Sequence, residues 1–288
     1  LMPFFAVHKT RAMSKYVYGF DFGTSNSALS ILDVESGKIV KTFNEASLLY
    51  FSALDSSDIY IGKQALEKYL EYGLRGRFIK SVKTMLPQKD FTHTLIHHTM
   101  YKPEELVALI IKHLKRKADA FLNEEVDSAI FGRPVIFDDQ GEKEQIAEVR
   151  LLEAAKKSGF NTIQLQYEPI AAAFADEREL QQAEKVLVAD FGAGTSDFTV
   201  MTLDPERATA TKRDQDMLAK GGIHIAGDDF DSKVMWEKLV RYFGYQLEYD
   251  SDGKQLMMPH HFFTKLCHWE QLNYFKSPKL RRSLDKYY

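Results

Sequence analysis

One phrase occurs twice in this chain and restricts what it can fold into. Tyr18–Asp33 reads YGFDFGTSNSALSILD, and Leu187–Asp204 reads LVADFGAGTSDFTVMTLD. Each copy is an apolar run, an Asp-Phe-Gly, a knot of Gly, Thr and Ser, and a second run in which apolar residues alternate with small or polar ones. That is the pattern of strand, tight turn, strand. A hairpin repeated with the same residue types along its whole length points to an internal duplication built around a glycine-rich turn.

Such turns have a specific chemistry. Glycines at the tip let the backbone approach a ligand closely, and consecutive exposed N–H groups form a nest for an anion. Thr24, Ser25, Thr195 and Ser196 add hydroxyl donors. A strand-end aspartate precedes each turn, Asp21 in the first and Asp190 in the second, and Asp197 closes the second turn. Carboxylates beside phosphate loops suit Mg²⁺, which binds through one or two carboxylates, waters and substrate phosphates. Two such hairpins facing each other across a cleft would hold a polyphosphate.

Commoner nucleotide motifs do not account for these residues. Asp-Phe-Gly also occurs in protein kinases, but those need a His-Arg-Asp loop, and the chain has none. There is no Walker A pattern, and in GAGTSD an aspartate stands where the dinucleotide fingerprint needs its last glycine.

Composition narrows the partners. A formal net charge of −3 gives no global field toward nucleic acid or anionic lipid. No apolar stretch reaches the roughly 18 residues needed to span a bilayer, so neither nucleic acid nor membrane is expected as a partner. The single cysteine, Cys267, excludes an internal disulfide framework and suits a reducing compartment, with the cytoplasm as the default. With 288 residues, 44% of them hydrophobic, the chain is long enough for two domains.

The rest of the chain is expected to organise as follows. KIVKTFNE and SLLYFSAL continue the opening hairpin as an antiparallel meander, and GKQALEKYLEYG is a helix stopped by Gly73. Pro103 opens an amphipathic helix with Val107, Ile110, Ile111, Leu114, Ala118 and Phe121 on its core face. SAIFGRPVIF is a strand broken at Pro134. A helix ending at Gly159, the strand TIQLQYE and a helix from Pro169 follow, with DERELQQAEK as that helix's tail. The glycine-rich turn before GDDFD feeds a helix with Phe230, Val234, Leu239 and Phe243 inward. The domains expected are an extension over 1–12, a first lobe over 13–182 and a second over 183–288.

Taken in order, GFDFGTSNSALSI, EPIAAAFAD, VLVADFGAGTSDFTV and HIAGDDFD resemble the two phosphate loops, the connecting segment and the following turn of the DnaK-type heat-shock chaperones. The wording QYEPIAAA leans toward the YegD-like branch. The resemblance implies an α/β, two-lobed, actin-like (ribonuclease H-like) ATPase fold that binds ATP and Mg²⁺. Asp21 and Asp190 would hold Mg²⁺ through its water shell. Gly23, Thr24, Ser25 and Asn26 would meet phosphate in the first loop, with Gly192, Ala193, Gly194 and Thr195 doing so in the second. Glu168 would order the waters, Asp197 would orient the attacking water, and Lys83 in SVKTML would reach the γ-phosphate, with Lys80 as the alternative lysine. Protein clients or co-chaperones are the implied partners.

Two departures from the family pattern stand out. Ala193 replaces the middle glycine of the second loop, and the first arginine after the switch-like Pro134 is the distant Arg150. The family's Gly-Gly-Ser/Thr adenosine motif is absent, so the second lobe reads as incomplete. Three readings follow: a slow ATPase domain of a chaperone, a non-hydrolysing scaffold with a degenerate pocket, and a small-molecule kinase of the same fold.

Overall fold

The computed structural model describes residues 14–134, 141–177, 179–207, 213–223, 225–251, 253–269 and 275. The opening hairpin is formed by β1 (Tyr16–Phe22) and β2 (Asn26–Asp33), antiparallel with Asp21 opposite Ala28. β3 (Lys38–Ala46) extends the meander beside β2. The meander stops there. β4 (Leu48–Phe51) does not continue it and instead pairs with β5 (Ile59–Ile61) and β6 (Arg77–Lys80) in a separate sheet that carries α1 (Lys63–Glu71). The reason is non-local: the alternation that makes SLLYFSAL a strand does not encode its neighbour, and Ser47 turns the chain between β3 and β4.

A short hairpin, β7 (Thr94–Ile96) and β8 (Thr99–Tyr101), turns at His97, which has φ 53°. α2 (Pro103–Leu122) follows, and its first turn is closed by the Glu105 carboxylate accepting from the Lys102 amide at 3.0 Å. Leu106, Val107, Ile110, Ile111, Leu114 and Ala118 are fully buried on one face. Phe121 is the exception. It is 53% exposed and meets Phe43 edge-on.

β9 (Ser128–Arg133), α3 (Gly141–Lys157), β10 (Thr162–Tyr167) and α4 (Glu168–Glu177) supply the crossover part. β9 runs parallel to both β1 and β10, giving a five-stranded sheet in the order β10-β9-β1-β2-β3. Phe20 stacks on its register partner Phe131 with centroids 4.6 Å apart, and Phe160 meets both edge-on at 5.7 Å. These rings pin the C-terminal ends of the parallel strands together, where α/β sheets bind ligands. α4 ends at Glu177, so only the first two residues of the polar segment expected as its tail are helical, and residues 179–183 lead to β11 (Glu184–Phe191). β12 (Ser196–Leu203) and β13 (Met217–Ile223) complete a three-stranded sheet in the order β11-β12-β13.

The described residues cluster into two compact units. One lies within Leu1–Gly192 and Asp197–Gly222, the other within Ala193–Ser196 and Ile223–Tyr288. The second unit contains α5 (Gly227–Val234), a π turn over Met235–Leu239, the hairpin of β14 (Glu248–Ser251) and β15 (Lys254–Met257), and α6 (His260–Leu266). Its core is Val240, Phe262, Phe263 and Cys267, with Trp236 and Tyr245 against it. The expected inward set is not inward: Phe230, Val234, Leu239 and Phe243 are all at least 43% exposed. A π turn followed by a 3-10 turn (Val240–Phe243) breaks the 3.6-residue phase on which that expectation rested. No helix among the described residues is long and apolar enough to cross a membrane.

Candidate functional site

The first glycine-rich turn follows directly from β1. A Cβ on Gly23 would lie 2.2 Å from the Asn26 carbonyl oxygen, so the turn admits only glycine there. Its shape is fixed from behind by Ser47, whose hydroxyl donates to the Gly23 carbonyl at 2.8 Å and whose amide donates to the Ser25 carbonyl at 2.8 Å. Ser47 also bonds the Ser27 hydroxyl at 2.8 Å, and both serines are buried. Thr24 and Ser25 remain partly exposed and Asn26 exposed at the tip. Sequence reasoning did not find Ser47, because its partners are set by tertiary contact.

Lys83 sits on a 3-10 turn, Val82–Met85, entered through Ser81 in the left-handed region at φ 60°. A serine there costs about 1–2 kcal/mol, and its buried hydroxyl has no partner among the described residues. Backbone held this way marks a segment fixed by its surroundings. Lys83 Nζ donates to Glu168 Oε1 at 2.9 Å, with the two side chains only 15% and 19% exposed. Of the two candidate lysines, Lys83 is therefore the one paired with Glu168.

Glu168 stands at the junction of β10 and α4, ahead of Pro169. Gly132 lies against it: a Cβ on Gly132 would come 3.1 Å from Glu168 Cγ and 3.3 Å from the Phe20 carbonyl oxygen. Burial pushes the Glu168 carboxyl above the usual carboxylate range. Lys83 opposes that rise, while the negative charges of Asp21 and Asp190 add to it. The strand-end aspartates of both hairpins thus act on one carboxyl. Gly132 is a second residue sequence reasoning missed, although a lone glycine inside a strand is a recognised sign of close approach.

A hollow in the same unit is lined by Pro134, Glu168, Pro169, Val188, Asp190, Asp197 and Thr199. It brings Asp190 and Asp197 beside Glu168. In the second turn, the Ala193 carbonyl accepts from the Asp228 amide at 2.8 Å, and the Ser196 hydroxyl donates to the Ile225 carbonyl at 2.7 Å. Ala193 is not among the described residues with positive φ, so its methyl is tolerated by this backbone. Gly192, Gly194 and Thr195 complete that turn.

Among the described residues, no group of three or more His, Cys, Asp or Glu side chains is close enough to hold a metal directly. Separated carboxylates that still interact through their charge fit a hydrated Mg²⁺, which keeps most of its waters. They do not fit a dedicated cage.

The family model for Hsp70 protein matches residues 74–260. That stretch includes Lys83, Glu168, Asp190 and Asp197, whereas Asp21 and the first turn precede it. The chain is 29% identical over 250 residues to the chaperone protein DnaK of Thermosipho melanesiensis, a match covering 84% of this chain and 39% of that relative. The chain thus spans well under half the length of the curated relative it matches. With parallel and antiparallel strands in one sheet, a crossover helix and a family match over more than half its length, the chain belongs to the Hsp70 family and has the mixed α/β build of that family's actin-like ATPase domain.

Proposed function

We propose that this chain is a Mg-ATP-binding, slowly ATP-hydrolysing domain of a DnaK-type chaperone, in the YegD-like branch to which its QYEPIAAA wording leans. The observation that carries this reading is the 2.9 Å Lys83–Glu168 pair, whose carboxyl also responds to the aspartates of both hairpins. Phosphoryl transfer needs positioning and charge stabilisation more than covalent participation. Lys83 supplies a positive charge for the γ-phosphate. Glu168 holds the lysine until the nucleotide arrives and then accepts hydrogen bonds from water. Asp197 orients the attacking water, and the turns at Gly23–Asn26 and Gly192–Thr195 offer backbone amides to phosphate oxygens. Asp21 and Asp190 would hold Mg²⁺ through its waters, and the ion, when bound, neutralises charge developing on the phosphates. In the longer protein the outcome would be lobe closure acting on a protein client in the cytoplasm.

Single-turnover hydrolysis of ATP by wild type, Asp21→Ala and Asp197→Ala tests this. Losses of about a hundredfold are expected in each variant, and equal rates in all three would overturn the reading. The scaffold alternative is favoured by Ala193 in place of a glycine in the second turn and by the altered segment after Pro134. Calorimetry separates the two, because weak or absent Mg-ATP binding supports the scaffold and submicromolar binding counts against it.

A further inference from the structure

Arg150 lies on α3, far from Lys83 in sequence, yet both terminal nitrogens of its guanidinium bond the segment that follows Lys83. Its Nη1 donates to the carbonyl oxygens of Met85 at 3.2 Å, Leu86 at 2.9 Å and Gln88 at 2.9 Å, and its Nη2 donates to that of Phe91 at 3.1 Å. Met85 ends the 3-10 turn and the other three carbonyls lie in the segment after it; Met85 and Gln88 also accept the amides of Gln88 and Phe91, and each carbonyl oxygen has a second lone pair for the guanidinium. A planar cation with several fixed donors suits such a cluster, and a lysine ammonium does not reproduce its geometry. We propose that Arg150 is the positioning residue for Lys83, holding the turn so that the lysine meets Glu168. The inference rests on the ATPase reading for its consequence, but not for its geometry.

Two further observations make this more than a loop staple. On its entry side, the Lys83 turn has a left-handed Ser81 whose carbonyl accepts from the Thr84 hydroxyl at 2.8 Å, a restraint local to the turn, whereas Arg150 on the exit side ties the segment to a different element. The same helix also restrains the other half of the pair. Glu144 and Glu148 of α3 hold Arg133, Glu148 at 2.7 Å, and Arg133 adjoins the Gly132 that packs on Glu168 and lies 4.9 Å over the Tyr167 ring. α3 therefore fixes the backbone on both sides of the Lys83–Glu168 contact.

A zero-length carbodiimide couples a lysine to a carboxylate only when the two are in contact, so it reads the pair without nucleotide. In wild type, coupling of Lys83 to Glu168, quantified by mass spectrometry, is expected. In Arg150→Met it should fall at least about fivefold, since a misplacement of about 1 Å has large consequences at such sites. Arg150→Lys should fall similarly, and it provides the reading if Arg150→Met does not fold. Coupling within twofold of wild type in a folded variant overturns the proposal. Single-turnover assays add the functional arm: hydrolysis should slow while Mg-ATP affinity stays unchanged. If wild type neither binds nor hydrolyses ATP, the ATPase reading fails, and the coupling yields still decide the role of Arg150.

Discussion

At Glu168 a carboxyl is placed where its charged form is disfavoured by burial and by two aspartates, and Lys83 offsets part of this. Its folded-state pKa lies above its unfolded one. The stability it contributes is therefore fully present below the unfolded value and is lost as pH rises through the folded value. Glu168→Gln carries no titrating proton. Urea unfolding between about pH 4 and about pH 8 should show wild type losing stability relative to Glu168→Gln as pH rises, with a slope below about 1.4 kcal/mol per pH unit, before levelling. A difference that stays constant with pH would show that no charging cost is stored at Glu168. Lys83 and Glu168 were each singled out in the sequence through the motifs SVKTML and EPIAAA, but their pairing was not legible there. Nor was their support: Gly132 packs on Glu168 and Ser47 backs the first turn through contacts distant in sequence, and nothing in their own neighbourhoods encodes the partner.

α4 is fixed at both ends, and its far end shows how an element is held in register with a sheet. Glu177, the last residue of α4, is fully buried and takes a two-pronged contact from Arg213, with Nη1 to Oε2 at 2.9 Å and Nη2 to Oε1 at 2.6 Å. Its Oε1 also accepts from the Asp204 amide at 2.8 Å, at the end of β12, and Arg213 in turn bonds Asp216 just before β13. Burial alone would raise the Glu177 carboxyl, but the bonds from Arg213 and the Asp204 amide outweigh it and hold the group below its ordinary value. Removing one side of a buried pair strands the other charge, so Arg213→Met should cost about 3–5 kcal/mol in urea unfolding. The double variant Arg213→Met/Glu177→Leu should recover a large part of that loss. A single-variant cost under about 1 kcal/mol would remove Arg213 as the anchor of α4. Element ends marked by local chemistry were legible: Pro103 opens α2, Gly73 follows α1, and Gly159 follows α3 with φ 98°. Elements defined by pairing or by a change of helical phase were not, as β4 and the π turn after α5 show.

Over the whole molecule, the two compact units differ in what holds them together. The first has a continuous core running from Tyr18 and Phe20 on β1 through the buried face of α2 to Phe131 and Phe160, with satellite clusters around Tyr50 and around Ile170 and Met201. Among the described residues, the second buries Val240, Phe262, Phe263 and Cys267 in its cluster while leaving Phe230, Val234, Tyr242 and Leu247 more than half exposed. Stability scales with apolar area removed from water, at about 25 cal/mol per Å², so the smaller core has less to set against the entropy of its own chain. Two unequal cores in one chain are expected to unfold separately rather than as one two-state unit. Hydrogen exchange should show the amides of α5 and α6 opening well before those of α2, and calorimetry should resolve a smaller, earlier transition. If the proposed function holds, saturating Mg-ATP should raise the transition of the unit that carries Lys83 and Glu168, by an amount that grows with the logarithm of ligand concentration. One calorimetric transition, with α2 and α6 exchanging at the same rate, would instead mean that the second unit draws its stability from the core of the first.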